Sequence, residues 1–360
     1  MILEIIDITK DFGKFVLGPL NLTVKNGEVM VILGPTGSGK TTLINIIAGI
    51  LSPDKGKIIL NGLEITKQSI EERKVGYVFQ DPSLFPHLNV YNNILFGLKR
   101  KERQSKEKFV TIKKIIADLE IEHLLNRKVD DLSGGEKQKV SLARILVLNP
   151  NIILLDEPLS HIDLLARDKL RIELRNILRK LEIPTIYVTH CEEDIYALGD
   201  SIVFLNRGKI EERGTLEEIL NYYNRSPSPF FNKIVSAGNY ITGEVVKCEN
   251  NLTEFTQGTN KLYTIGMFSP KSRIGIIVKR EDILLSKEKV RISARNIIFA
   301  QVVDIIKIHN MIDVYLKSDN LNLISRITYS AFEDLEIVIG NYVYAIFKAS
   351  TPYLIREEDD

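Results

Sequence analysis

The run Gly34-Pro35-Thr36-Gly37-Ser38-Gly39-Lys40-Thr41 constrains this chain more than any other segment. It follows the apolar stretch Val29-Met30-Val31-Ile32-Leu33 and precedes TTLINIIAGIL, whose apolar side chains recur at helical spacing with Gly49 near the end. The pattern predicts a strand, a glycine loop and a helix in that order. Glycines let successive backbone N–H groups turn inward around phosphate oxygens, and a helix N-terminus adds positive dipole character. In such a loop the lysine reaches the β- and γ-phosphates and the following hydroxyl ligates Mg²⁺, which makes Lys40 and Thr41 the candidates for those tasks. The loop specifies a nucleotide but not what is done with it.

The chain has 360 residues, and at about 150 residues per domain that length suggests two or three domains. With 44% hydrophobic and 26% charged residues, wholesale disorder and collagen-like or mucin-like architectures are excluded. Lys and Arg number 48 against 47 Asp and Glu, so no large field of either sign implies bulk nucleic acid or anionic lipid as a partner. The dense stretch KRKERQSKEK from Lys99 to Lys108 reads either as a local basic patch or as a solvated helix or loop, its run broken by Glu102 and Glu107. Cys191 and Cys248 form no CxxC, which argues against a zinc site, a redox pair or a disulfide framework and fits a reducing cytosol. The start MILEIIDITK lacks a signal-peptide pattern, and nowhere do about 18 apolar residues run together. If the protein works at a membrane, another chain is expected to anchor it.

Residues 1 to 33 read as short strands separated by turns around Gly13, Gly18, Pro19 and Gly27. From Asp81 to about Asp130 the pattern is helical and polar. Strand-like runs return at 151 to 155, 184 to 189 and 201 to 205, with a polar helical stretch from Asp163 to about Lys180. That alternation predicts a parallel sheet flanked by helices. In YYNRSPSPFF, at 222 to 231, Pro227 and Pro229 continue neither a helix nor a central strand, so the domain boundary is placed there. Residues 240 to 348 repeat short runs rich in Ile, Val and Tyr, which predicts a small all-β region of one barrel or two.

Three further constellations bear on chemistry. Leu132-Ser133-Gly134-Gly135-Glu136 opens a helical stretch and makes a second anion-binding end. Because the first loop already holds the phosphates of one nucleotide, this second cradle needs a second subunit. The strand Ile152-Ile153-Leu154-Leu155 delivers Asp156 and Glu157 at its end, the first placed to hold Mg²⁺ through water and the second to orient and deprotonate an attacking water. Capping a helix is the alternative task for two such acids. Thr189-His190 ends the strand 185 to 189, putting an imidazole at the same sheet edge, where α/β sheets bind ligands; a satisfied surface histidine is the alternative.

GPTGSGKTT, LSGGE, ILLDE and the terminal TH, in this order over residues 1 to about 225, resemble the nucleotide-binding subunit of an ABC transporter. The resemblance implies a P-loop ABC ATPase domain over 1–228 with a helical subdomain at about 82–145. It also implies a head-to-tail homodimer in which ATP lies between Gly34 to Thr42 of one subunit and Ser133 to Glu136 of the other. By the same resemblance Gln80, in YVFQDP, is the Q-loop glutamine that contacts Mg²⁺ and senses the transmembrane partner, and Phe12 stacks on adenine. Leu84, Phe85, Pro86 and Leu88, in the importer-type stretch SLFPHL, then belong to the groove for a permease coupling helix. Three departures stand out. His161 replaces the usual alanine of the D-loop Ser160-His161-Ile162-Asp163, with surface packing as its expected role, and Glu136 and Lys139 depart from LSGGQQQR, with altered tuning expected.

Ser293-Ala294-Arg295-Asn296, a later Ser325-Arg326-Ile327-Thr328 and a final Lys348-Ala349-Ser350 resemble the molybdate-binding Mop domain over 291–350, within an OB-like all-β domain at 236–360. A tetrahedral dianion needs N–H and O–H donors, and Ser293, Asn296, Ser350 and the backbone near Ala349 supply them while Arg295 and Lys348 offset charge. Pairing of Arg295 and Lys348 with surface acids is the bland alternative. Ala300 stands where that family often has glycine, and its methyl group is expected to hinder a close backbone approach.

The expectation is an ATPase at the cytoplasmic face of a membrane that uses ATP and Mg²⁺ to power uptake of molybdate or tungstate. Its expected partners are membrane permease subunits and, indirectly, an extracytoplasmic solute-binding protein, with bound oxyanion feeding back on hydrolysis and no nucleic acid involved. Importers of sulfate, ferric iron, polyamines or sugars carry similar motors. A soluble ABC ATPase acting without a permease, and an oxyanion-binding module with a vestigial cassette, are the readings from other classes.

Overall fold

The structure is a computed structural model that describes residues 2–98, 106–160, 162, 164–215, 218–219, 238–308 and 310–358. The chain divides into two compact units, Met1–Leu216 and Glu217–Asp360. The proline-rich boundary at 222–231, most of the charged run at 99–108, His161 and Asp163 lie outside the described residues.

In the first unit the elements run β1 (Ile2–Asp11), β2 (Val16–Lys25), β3 (Val29–Leu33), α1 (Lys40–Ala48), β4 (Lys55–Leu60), β5 (Leu63–Glu64), α2 (Ile70–Arg73) and β6 (Val75–Val78). There follow α3 (Val90–Leu95), α4 (Lys106–Asp118), α5 (Gly134–Leu146), β7 (Ile152–Asp156), α6 (Leu164–Leu181), β8 (Thr185–Val188), α7 (Glu192–Leu198), β9 (Ser201–Asn206) and β10 (Lys209–Thr215). A four-stranded antiparallel sheet has the order β2-β1-β4-β5, and a six-stranded sheet the order β10-β9-β3-β8-β7-β6. In the larger sheet only β10 is antiparallel to its neighbour.

β3, β7 and β8 are buried at every position, which is why they read as unbroken apolar runs rather than alternating ones: both faces of a parallel sheet are covered. Helix α1 lies in the core between the two sheets, its Leu43, Ile44, Ile46 and Ile47 packing with Leu3, Ile5 and Ile58 on one side and Ile32, Leu154 and Ile186 on the other. At about 25 cal/mol per Å² of apolar surface, each such side chain contributes roughly 2 kcal/mol. The register sets Ile32 beside Val188 and Val188 beside Asp156, so the carboxyl ends of β3, β8 and β7 lie side by side. The glycine loop, Asp156-Glu157 and Thr189-His190 all leave the sheet at that edge. β8 ends at Val188, one residue short of the expected strand; Thr189 has turned off, though its N–H still reaches the Ile32 carbonyl at 3.4 Å.

Among the described residues the second unit is all-β apart from α8 (Tyr329–Asp334), one short 3-10 turn and the helical pair Glu218 and Ile219. Its strands are β11 (Asn239–Glu249), β12 (Leu252–Gln257), β13 (Asn260–Ile265), β14 (Arg273–Val278), β15 (Leu284–Ser286), β16 (Asn296–Ile308), β17 (Met311–Ser318), β18 (Leu321–Thr328), β19 (Tyr342–Phe347) and β20 (Tyr353–Glu358). They form two five-stranded antiparallel sheets, β13-β12-β11-β14-β20 and β15-β19-β16-β17-β18. A single core joins them, with Ile241, Phe255 and Ile276 of one sheet against Val302, Val314 and Val343 of the other. The fully buried carboxylate of Asp313 pairs with Arg280 at 2.7 Å and Arg326 at 2.6 Å.

Candidate functional site

The glycine loop is shaped by backbone conformations that only glycine takes at no steric cost. Gly34 and Gly39 have φ of 155° and 105°. A Cβ on Gly34 would stand 2.0 Å from the Leu205 carbonyl oxygen, so the loop rests directly on β9. Helix α1 begins at Lys40, whose side chain is almost fully buried and donates from Nζ to the carbonyls of Gly34 at 2.8 Å and Pro35 at 3.1 Å. Burial lowers the pKa of this ammonium, while the charges of Glu157 and Asp156 pull it back up. An ammonium held by two weak carbonyl acceptors beside a row of N–H donors is poised to exchange them for a phosphate.

An open cleft of about 640 Å³ lies over the loop, and Thr36, Gly37, Gly39, Lys40, Thr41 and Thr42 line it together with Gln80 and Glu157. Phe12 also lines it and is 51% exposed. Phe15 lines the same wall, its ring centroid 6.3 Å from that of Phe12. Sequence reading missed Phe15; its pairing with Phe12 across a glycine turn in DFGKF was the available signal.

Asp156 is buried, and burial raises its pKa; a hydrogen bond from Thr41 opposes that shift, Glu157 adds to it, and Tyr77 and Lys40 oppose it. The Tyr77 hydroxyl lies 3.4 Å from Asp156 Oδ2 and 3.2 Å from Asn45 Oδ1. Glu157 sits in the left-handed region at φ 46°, its N–H bonded to the Val188 carbonyl at 2.9 Å. That twist aims its carboxylate back over the sheet edge, where Oε1 meets His190 Nδ1 at 3.2 Å and Oε2 meets Gln80 Nε2 at 3.4 Å. The loop, both acids, Gln80 and His190 therefore come together.

Ser133 and Glu136 do not line this cleft. They close a reciprocal cap at the start of α5, in which the Ser133 N–H donates to Glu136 Oε2 at 2.7 Å and the Glu136 N–H to Ser133 Oγ at 3.3 Å. The carboxylate that departs from the family pattern thus has a local task. Lys139, another departure, pairs with Glu173 of α6 at 2.7 Å.

In the helical segment Leu84, Phe85 and Leu88 are half-buried and Pro86 is exposed. Phe85 packs on Phe96 with centroids 4.1 Å apart. The buried Asn93 amide holds the loop by accepting from the Phe85 N–H at 2.8 Å and donating to the Phe85, Leu88 and Asn89 carbonyls.

In the second unit Asn296 stands opposite Phe347 on paired strands, which brings Ser293, Arg295, Lys348 and Ser350, all exposed, to one end of the sheet. Asn296 is not an available donor. It is fully buried, and its amide accepts from the Tyr263 N–H at 2.7 Å and donates to the Tyr263 carbonyl at 3.0 Å, pinning β13 to β16. The Ala349 carbonyl accepts from the Ile265 N–H at 3.1 Å. Ala300 also differs from expectation: its methyl group points into the hydrophobic core and approaches no open surface.

The ABC transporter family profile matches residues 17–160, and the TOBE domain profile matches residues 292–351. The chain is 37% identical over 348 residues to the molybdate/tungstate import ATP-binding protein of Pyrococcus abyssi, covering 97% of this chain and 98% of that protein. The chain belongs to the ABC transporter family. This ABC ATPase is also 36% identical over 290 residues to the spermidine/putrescine import ATP-binding protein of Clostridium acetobutylicum, covering 80% of this chain and 81% of that one. A solved nucleotide-free ATP-binding cassette from an ABC transporter superposes with a TM-score of 0.56 at 29% identity, covering 62% of this chain and 96% of that structure. A dimeric bacterial ABC transporter cassette superposes with a TM-score of 0.52 at 29% identity, covering 59% of this chain and 98% of that structure. As a member of this family the ABC ATPase binds nucleotide and couples its hydrolysis to transport. Among the described residues no helix is long and apolar enough to cross a membrane.

Proposed function

We propose that this ABC ATPase powers uptake of molybdate or tungstate through a separate permease supplied by a solute-binding protein. The observation that carries the reading is the reach of the similarity. The match to the molybdate/tungstate import protein of Pyrococcus abyssi takes in 97% of the chain, second unit included, whereas the spermidine/putrescine match takes in 80%. A second reading is favoured by the sulfate/thiosulfate import protein of Mesostigma viride, 33% identical over 92% of this chain. Sulfate is also a tetrahedral dianion.

In this reading ATP lies between the glycine loop of one subunit and Ser133 to Glu136 of a second copy. Lys40 moves its ammonium from the Gly34 and Pro35 carbonyls to the β- and γ-phosphates, and Phe12 with Phe15 covers the adenine. Thr41 and Asp156 form an all-oxygen pair suited to a small hard cation, with Gln80 at the cleft wall; Mg²⁺ held there would neutralise charge on the phosphates. Glu157 takes the proton of the attacking water, and His190 fixes the Glu157 carboxylate and faces the γ-phosphate. Leu84, Phe85, Pro86 and Leu88 dock the permease. Ser293, Arg295, Lys348 and Ser350 bind oxyanion as a brake on hydrolysis, on a frame built by Asn296 and Ala349.

Uptake by vesicles carrying the assembled complex, with molybdate, tungstate and sulfate supplied in turn, tests the substrate. ATP-dependent accumulation of molybdate or tungstate over sulfate is expected. Preference for sulfate, or dependence on none of the three, would overturn the assignment.

A further inference from the structure

Behind His190 lies a buried polar network that the hydrolytic roles above do not use. Helix α6 carries Arg167 and Arg171, one turn apart and so on one face. Arg167 Nη2 donates to the carbonyls of Ser160 at 3.3 Å and Ile162 at 2.9 Å. Arg171 Nε donates to Asp194 Oδ1 at 2.6 Å, and its Nη2 to Cys191 Sγ at 3.0 Å. The other oxygen of Asp194 accepts from the Tyr187 hydroxyl at 3.0 Å and from Thr189 Oγ1 at 2.8 Å. Thr189 Oγ1 in turn accepts from the Cys191 N–H at 3.0 Å. Both chain neighbours of His190 are thereby tied to one carboxylate.

Asp194 and Thr189 are each 3% exposed and Arg171 is 4% exposed. Burying such an ion pair gains little stability over an apolar replacement, so its distinctive contribution is geometric. The imidazole itself is 67% exposed. With so little packed around the ring, its place opposite Glu157 is set by the backbone from Thr189 to Cys191, which the network holds.

We infer that Arg171 and Asp194 are positioning residues for His190, and that α6, through Arg167, ties the carbonyls of Ser160 and Ile162 to the same frame. The inference rests on the proposed role of His190 at the γ-phosphate. Burial acts against the Arg171 charge, and the hydrogen bond and charge of Asp194 more than offset it, so the guanidinium stays charged.

The test is a double-mutant cycle in the full-length chain with its permease. Asp194→Asn and Thr189→Val are each measured alone and in a His190→Ala background. Each alone is expected to lower kcat about tenfold with KM for ATP within about twofold, because only the reacting geometry is disturbed. In the His190→Ala background each should cost less than about twofold more, since residues acting through one another are not additive. Thr189→Val removes a single hydroxyl and carries the test should Asp194→Asn fail to fold. An equal loss in both backgrounds would overturn the inference while leaving His190 its role. Full turnover by His190→Ala alone would remove that role and this inference together.

Discussion

Glu157 meets His190 across 3.2 Å from a backbone held in the left-handed region at φ 46°. A carboxylate in that conformation costs on the order of 1 kcal/mol or more to hold, so the surroundings must enforce it. The Val188 carbonyl does so by accepting the Glu157 N–H. Glu157→Gln keeps the shape and removes the base. Turnover should fall about 10²- to 10⁴-fold with ATP binding retained. Steady-state hydrolysis together with fluorescent-nucleotide titration checks both halves, and near-normal turnover would remove Glu157 from the role.

Much of this site was legible because its parts are local in sequence. The strand–loop–helix around Gly34 to Thr41, the acids ending β7 and the histidine after β8 each carry their own pattern, and the parallel sheet brings their ends together. Side chains recruited from a distance carried no such pattern. Tyr77 reaches Asp156 from a position to which sequence reading assigned nothing, and Arg171 reaches Asp194 from what read as a polar helix. In the second unit the exposed or buried side of a residue decided what the motif could not. Asn296 looked like a ligand donor because amides bind oxyanions, yet its pairing with the Tyr263 backbone makes it a strut.

Phe15 shares the cleft wall with Phe12 but is half-buried where Phe12 is exposed. A Cβ on Gly39 would meet its ring at 3.0 Å, so Phe15 also supports the glycine loop. Phe12→Ala should weaken ATP by about tenfold through lost stacking of order 1 kcal/mol, and bind inorganic triphosphate as before. Phe15→Ala should weaken both. Competition of each against a fluorescent nucleotide separates the two rings, and an equal effect on triphosphate by Phe12→Ala would refute the stacking role.

Asp156 has its pKa raised above the ordinary 3.8, by burial first. The folded nucleotide-free chain therefore binds this proton more tightly than the unfolded chain, and stability through this group falls as pH rises from the ordinary carboxylate value through the raised one. Asp156→Asn removes that penalty. The variant should melt higher than the parent by on the order of 2 °C near neutrality, with the gap narrowing as the pH falls toward about 4. Nucleotide with Mg²⁺ should raise the parent's melting point more than the variant's, since only the parent offers the cation a carboxylate at this position. Thermal melts at the two pH values, with and without nucleotide, decide the matter; a lower melting point for the nucleotide-free variant would contradict the sign.

Asn296, Arg295 and Lys348 come from two neighbouring motifs but should respond oppositely to substitution. Asn296→Ala leaves the N–H and carbonyl of the half-buried Tyr263 without their side-chain partner, a loss of about 1–3 kcal/mol in all. Urea denaturation followed by circular dichroism should register that loss in the second unit. Arg295 and Lys348 are exposed, so Arg295→Ala and Lys348→Ala should leave stability within about 0.5 kcal/mol. If oxyanion binds between them, each of these two variants should weaken molybdate by about tenfold in calorimetric titration of the full chain, because a charge-assisted hydrogen bond is lost. Undiminished molybdate affinity in both would leave the second unit with a structural task alone, whereas stability lost in both would mean that the exposed end of β16 and β19 is held by contacts other than those described.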